Sequence, residues 1–358
     1  MKMKIEYTGF HPTPNWKIPK VDVSIDPLEF FEKFIKTRTP CILTGFPADL
    51  DWLTLDNLNE SCGDKVVQVE KKKDGTFGHG NTRIKMKFSE FVDELPKGNL
   101  YLTTQYEEED IDEEEDIESD SEPDAEEVEA ESQLIKSFAA PPLDSMLPDI
   151  PYSLEIFSGL ILFQINLWIG MASEKGTSTG LHHDFHDNFY CLKQGKKRFT
   201  LFSPKDADKM YTTGTISRVF PNGLIEYANG EKVRADGAYL SDIARWKVEQ
   251  AEFELENAPE EDKEELEKKL EELMDEMFQI EGGLAMDMEE YDEKGNKRTL
   301  STDSSNKKQK IQESDNPPSF SRVPVAVLEG KESKEFPLIS KATKVVVELK
   351  EGETLLVS

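Results

Sequence analysis

The sequence predicts a mainly β chain with helical elements near its N-terminus and two insertions outside the β core. Three observations carry this. Short apolar, β-branched runs recur at 41–45, 65–69, 99–105, 159–203 and 323–358, bounded by Gly, Pro and polar clusters. Residues 107–131 hold 17 Asp or Glu and no Lys or Arg, a composition that buries no core. Residues 241–281 switch to a charged pattern with helical spacing.

Residues 27–37, PLEFFEKFIKT, place Leu28, Phe31, Phe34 and Ile35 at helical spacing, with Asp26 as cap and Pro27 in the first turn. CILTG (41–45) reads as a short buried strand. Residues 51–62 read as a helix ending near Gly63, Lys65–Val69 as a strand, SEFVDEL (89–95) as a helix and NLYLTTQ (99–105) as a strand. The acidic run is expected to be disordered. The block 159–203 is expected to be mostly strand, with a hairpin turning at Gln194–Gly195 and closed by Pro204. A second hairpin is expected over 223–235 around Asn229-Gly230. Leu266, Leu270, Leu273 and Met277 follow 4-3-4 spacing, so 241–281 reads as a helical hairpin turning at Asn257–Pro259. The polar stretch 288–317 reads as a flexible linker. FSRVPVAVLEG and KATKVVVELKEGETLLVS read as returning strands with a tight turn at Gly352.

Charge and composition exclude several classes. The net charge is −30, and more than half of the excess sits in the acidic run. Direct nucleic-acid binding needs a basic footprint, so it is not expected. A basic protein partner is compatible, although an acidic run is more often a solvated loop. Cys41, Cys62 and Cys191 form no CxxC, which argues against a disulfide framework or zinc site. The opening MKMKIEYTGF has no apolar h-region, and GLILFQINLWIGM (159–171) is too short to span a bilayer. A soluble protein of the cytosol or nucleus, with no membrane partner, is the expectation.

The chemistry concentrates in TGLHHDFHDNFYCLKQGKKRFTLFS (179–203). On a strand, His182 and Asp184 share a face, which supplies an imidazole and a carboxylate to one metal ion. That is two-thirds of the facial triad of non-haem Fe(II) oxygenases. His186 lies four residues from His182, about 13 Å away on a continuous strand, too far to share the metal. His183 points to the other face. No His follows His186. Lys197, behind the Gly195 turn, is placed to pair with a carboxylate as a point charge.

H-x-D-x3-N-x6-G-x-K behind a Thr/Ser-Gly loop resembles the JmjC domain, of the cupin-like Fe(II)/2-oxoglutarate oxygenase superfamily, and most nearly its small hydroxylase branch. NLWIG (166–170), STGLHHDFHDNFYCL, QGKKRFTLFSP, LYLTTQ (100–105), RTPCILTGFP and DWLTLDNLNESCGDKVVQVE carry the resemblance, over roughly 25–105, 139–205 and 335–358. It implies a double-stranded β-helix (jelly-roll) core. It further implies Fe(II) held by His182 and Asp184, and 2-oxoglutarate held by Lys197, with Thr179 and Tyr101 hydrogen-bonding it and Asn188 lining its site. Trp168 and Phe199 read as core.

In the resembled family a third iron ligand, a distal His, follows the segment that KEGETLLVS begins, together with the final jelly-roll strands. The expectation is therefore a truncated copy with weakened iron binding and an exposed terminal strand edge. The expected organisation is 1–105 N-terminal helices and strands, 106–133 acidic insert, 134–240 core with the metal strand, 241–287 helical hairpin, 288–320 linker and 321–358 returning strands. The implied activity is hydroxylation of a protein side chain, with lysine as one candidate target and a basic protein as one candidate substrate. A catalytically inactive JmjC scaffold is the alternative, and N-methyl-lysine demethylation a lesser one.

Overall fold

The structure, a computed structural model, describes residues 3–45, 50, 52–72, 77, 83–105, 139, 141–146, 154–172, 176–228, 240–259, 262–286 and 317–357. The acidic run and the 288–316 linker lie outside the described residues, as does Asn229-Gly230. The strands are β1 (Lys4–Ile5), β2 (Lys20–Asp22), β3 (Cys41–Thr44), β4 (Val66–Lys71), β5 (Arg83–Lys87), β6 (Leu100–Leu102), β7 (Ile169–Gly170), β8 (Asn188–Cys191), β9 (Lys197–Phe202), β10 (Ile216–Val219), β11 (Ile225–Tyr227), β12 (Lys344–Leu349) and β13 (Thr354–Val357). The helices are α1 (Pro27–Phe30), α2 (Leu55–Cys62), α3 (Phe88–Glu94), α4 (Leu240–Glu256), α5 (Lys263–Met286) and α6 (Val325–Leu328). The chain divides into two compact units: Met1–Thr8, His182–His186 and Met210–Arg322 form one, and Gly9–Leu181, Asp187–Lys209 and Val323–Ser358 form the other.

The larger unit holds the jelly-roll core. Its sheets run β2-β3-β13-β8, β12-β9 and β5-β4-β6-β7. Ile42, Leu355 and Tyr190 of the first sheet meet Val345, Val347, Leu349, Phe199 and Leu201 of the second in one apolar cluster. The opposite faces of β3 and β13, Cys41, Leu43 and Leu356, pack on Phe30, Phe34 and Ile35. Burial on both faces explains why CILT and TLLV lack polar alternation. β12 is buried on one face only, and there alternation returns: Val345, Val347 and Leu349 point in while Lys344, Val346 and Glu348 point out. A third cluster joins Val67, Val69, Leu100 and Leu102 to Leu58 of α2 and to Phe88 and Phe91 of α3.

Local signals place the N-terminal helix. The Glu29 N–H donates to Asp26 Oδ1 at 2.9 Å, and Pro27 occupies the first turn. The helix then widens into a π-helical turn over Phe31–Ile35.

Four expectations change. β8 and β9 do not form a hairpin: β8 pairs with β13 and β9 with β12, so the chain changes sheet at the Gly195 corner. The Gly352 corner does the same between β12 and β13. The two corners bind each other, Leu192 N–H to Glu353 O at 3.0 Å, Gly352 N–H to Leu192 O at 2.8 Å and Gly195 N–H to Glu351 Oε1 at 2.8 Å. β13 is bonded on both sides, to β3 and β8, so it presents no open edge. In 159–171 only Ile169–Gly170 pairs as strand, with β6, while Ile161 and Phe163 lie exposed. VPVAVLEG contains helix α6, started at Pro324 and stopped at Gly330, whose φ is +110°.

The smaller unit holds the sheet β1-β10-β11 and the helical hairpin. β10 and β11 form a hairpin about Gly223, so Ile225–Tyr227 pairs backward rather than with residues after 229. α4 and α5 run antiparallel, with ion pairs Lys269–Glu254 at 2.6 Å and Lys247–Glu276 at 3.4 Å. No helix among the described residues is long and apolar enough to cross a membrane.

Candidate functional site

In the smaller unit, residues 182–186 are irregular. His182 makes an isolated antiparallel bridge with Phe320, and its ring stacks on the Phe320 ring with centroids 4.8 Å apart and planes at 13°. Asp184 follows two residues on, with its Oδ1 3.8 Å from His182 Nε2. Both side chains are partly exposed, at 28% and 34%. An imidazole and a carboxylate this close, with solvent on one side, fit the donor set of a divalent transition metal.

The strand expected to carry both residues begins only at Asn188, after bends at Phe185 and His186. Alternation therefore cannot be extended from His182 to His186, and the parity argument against His186 loses its basis. Packing gives the same outcome: the His186 ring lies against Phe185, and no group of three or more His, Cys, Asp or Glu among the described residues is placed to hold a metal. His183 turns to Tyr227, whose hydroxyl it hydrogen-bonds through Nε2. Burial, with a smaller contribution from nearby His182, lowers its pKa to about 4.

In the larger unit, Lys197 opens β9 opposite Leu349. Its ammonium lies 5.4 Å from the Tyr190 ring centroid, 5.8 Å from Phe199 and 5.9 Å from Tyr101. These distances permit cation–π attraction. Burial lowers the pKa of Lys197 below the usual lysine value. No carboxylate among the described residues lies within ion-pairing distance of it. A buried cation in an aromatic cradle is suited to an anionic ligand.

Tyr101 lies on β6 opposite Gly170 of β7. A Cβ at Gly170 would fall 2.4 Å from Tyr101 Cδ2, so any larger residue there would have to displace the ring. Phe77 stacks on the Tyr101 ring with centroids 5.2 Å apart. Burial, then the neighbouring Tyr190 and Glu70, raises the Tyr101 phenol pKa, and burial raises that of Tyr190 to about 12, so both rings stay protonated donors. Asn188 begins β8 opposite Val357. Thr179 is half-buried in the loop before the metal pair, next to Gly180 with φ +77°.

The structure thus joins His182 with Asp184, and Lys197 with Tyr101. Tyr190, beside the Lys197 ammonium, and Phe77, stacked on Tyr101, were not singled out in the sequence; Phe199 packs in the core as expected and also faces the ammonium. A signal existed for two: Tyr190 is two residues from Asn188 and Phe199 two from Lys197, so each shares its neighbour's strand face.

The Cupin-like domain family matches residues 27–357. The chain belongs to the cupin-like domain family. Among relatives of this cupin-like domain, JmjC domain-containing protein 4 of Schizosaccharomyces pombe is 38% identical over 307 residues, 80% of this chain and 62% of that protein. JmjC domain-containing protein D of Dictyostelium discoideum is 24% identical over 56% of this chain and 43% of its own length. A tRNA wybutosine-synthesizing protein 5 of Mus musculus is 45% identical over 47 residues, 13% of this chain and 15% of that protein. The chain thus covers less than two-thirds of each of these relatives. Its cupin-like JmjC domain is consistent with the Fe(II)/2-oxoglutarate oxygenase superfamily.

Proposed function

We propose that this domain is an Fe(II)- and 2-oxoglutarate-dependent oxygenase acting on a protein side chain. The observation that carries the reading is Lys197, an ammonium buried among Tyr101, Tyr190 and Phe199 with no carboxylate partner among the described residues. In this reading Lys197 binds the distal carboxylate of 2-oxoglutarate. Tyr101 holds its phenolic proton for a hydrogen bond to the same group, and Thr179 and Asn188 contribute polar contacts. His182 and Asp184 would hold the iron, which would supply the redox-active centre for O2-dependent oxidative decarboxylation of 2-oxoglutarate. The aromatic rings exclude water around the cosubstrate. A protein is the proposed substrate, and a basic one suits the chain's acidity.

The second reading is a JmjC scaffold without turnover. It is favoured by the metal pair standing without a third His, Cys, Asp or Glu among the described residues. The deciding measurement is Fe(II)-dependent succinate formation from 2-oxoglutarate, paired with direct 2-oxoglutarate binding. Binding lost in Lys197→Met, with succinate formed only with iron and lost in His182→Ala, supports the oxygenase. Binding without succinate supports the scaffold. Binding unchanged in Lys197→Met overturns the role of the lysine.

A further inference from the structure

We infer that Tyr227 and His183 form a clamp that positions the His182–Asp184 metal pair, Tyr227 acting as a positioning residue through its hydroxyl. The inference rests on the reading of His182 and Asp184 as metal ligands. All residues concerned lie in the smaller unit.

The two ligands sit on irregular backbone, where no continuous ladder of hydrogen bonds holds their side chains at a fixed angle. His183, the residue between the ligands, is bonded to the Tyr227 hydroxyl, and the two rings lie nearly parallel, at 15° with centroids 5.9 Å apart. The His183 N–H also reaches Ser319 O at 3.4 Å. Fixing the middle side chain of a three-residue segment restrains the dihedrals on both sides of it, and hence the directions of both ligand side chains.

Tyr227 is itself anchored. It is 5% exposed, pairs with Ile216 at the end of β11, and rests against Gly214. A Cβ at Gly214 would come 2.6 Å from Tyr227 Cδ1 and 2.6 Å from Pro318 Cβ. The strip around Pro318 binds both partners: Gly214 N–H donates to Pro318 O at 3.0 Å, Thr213 N–H to Phe320 O at 2.7 Å, and Phe320 carries the ring under His182. The tyrosine, the glycine beneath it and the strip beside them make one packed support for the ligand segment.

The test uses Co(II), whose visible absorption reports ligand geometry, titrated into the full chain without cosubstrate. Wild type, Asp184→Ala, Tyr227→Phe, His183→Leu and the Tyr227→Phe/His183→Leu double variant are compared. Tyr227→Phe keeps the ring over Gly214 and removes only the hydroxyl. The expected result is tenfold weaker Co(II) binding and an altered spectrum in Tyr227→Phe and in His183→Leu, with no further loss in the double variant. Wild-type binding and spectrum in Tyr227→Phe, or additive losses in the double variant, overturn the clamp. Should Tyr227→Phe fail to fold, His183→Gln decides: its amide still pairs with the hydroxyl, so binding within twofold of wild type beside a tenfold loss in His183→Leu supports the clamp, and equal losses overturn it. Asp184→Ala separates the premises, because Co(II) binding unchanged there removes the metal reading, whatever the clamp variants do.

Discussion

Burying an ammonium group among Tyr101, Tyr190 and Phe199 costs hydration that the rings only partly return. The folded pKa of Lys197 is therefore lowered from 10.5. A lowered lysine pKa means the unfolded chain binds the proton more tightly, so the penalty on folding is fully present below the folded pKa and fades as pH rises toward 10.5. Lys197→Met should accordingly stabilise the free protein by about 1–3 kcal/mol at pH 7 while removing 2-oxoglutarate binding. Urea denaturation at pH 7 and pH 10 checks this: the gain should shrink at the higher pH, and destabilisation at pH 7 would refute it. The thiols give a second expectation. Burial raises the pKa of Cys41 to about 12 and that of Cys191 to about 11, so both should resist iodoacetamide at pH 8 until the chain is unfolded, as peptide mapping would show. Lys197 was legible in the sequence because its place after Gly195 is a matter of spacing. Phe77 was not, because it reaches Tyr101 from a segment with no periodicity to read.

At the level of elements, strands buried on one or two faces announced themselves, and their partners did not. β3, β9, β12 and β13 are visible as apolar runs, but a run does not name its neighbour. The Gly195 turn was read as a hairpin because local pairing is the common case, and Gly352 as a tight turn between two strands. In the fold both are corners where the chain passes from one sheet to the facing one, and their bonds run between corners. The metal segment was read as strand because alternation suited it, yet the bends at Phe185–His186 end that alternation before β8 begins. Gly170 offers a test at this scale. Alanine there must push the Tyr101 ring aside, since its Cβ would lie 2.4 Å from Cδ2. Gly170→Ala should cost about 1–3 kcal/mol and weaken 2-oxoglutarate binding several-fold. Denaturation and calorimetric titration would register both, and unchanged values would show that the ring has room to move.

Across the whole molecule, the helical hairpin was recognisable from spacing, whereas its attachment was not. α4 places Ile243 and Trp246 against Phe220 and Leu224, and Phe185, directly after Asp184, joins the same cluster. The hairpin is therefore part of the core of the smaller unit. Trp246→Ala should destabilise that unit by about 2–4 kcal/mol. Amide exchange at Ile216–Tyr227 should accelerate, and unaltered protection there would argue against the packing.

The position of β13 also has a consequence in time. Its partners, β3 and β8, are made long before it, and Leu355 and Leu356 complete the two clusters on either side of that sheet. From Cys191 to Thr354 a ribosome working at about 5–20 residues per second needs roughly 8–30 s. For that interval the nascent chain carries two apolar strands with free edges and no strand to lie between them. The protein should therefore lean on chaperones that hold emerging chains. Ribosome-bound chains stalled before Thr354 should be cut readily by protease within β3 and β8, and chains held on the ribosome through an added C-terminal linker that carries Val357 clear of it should resist.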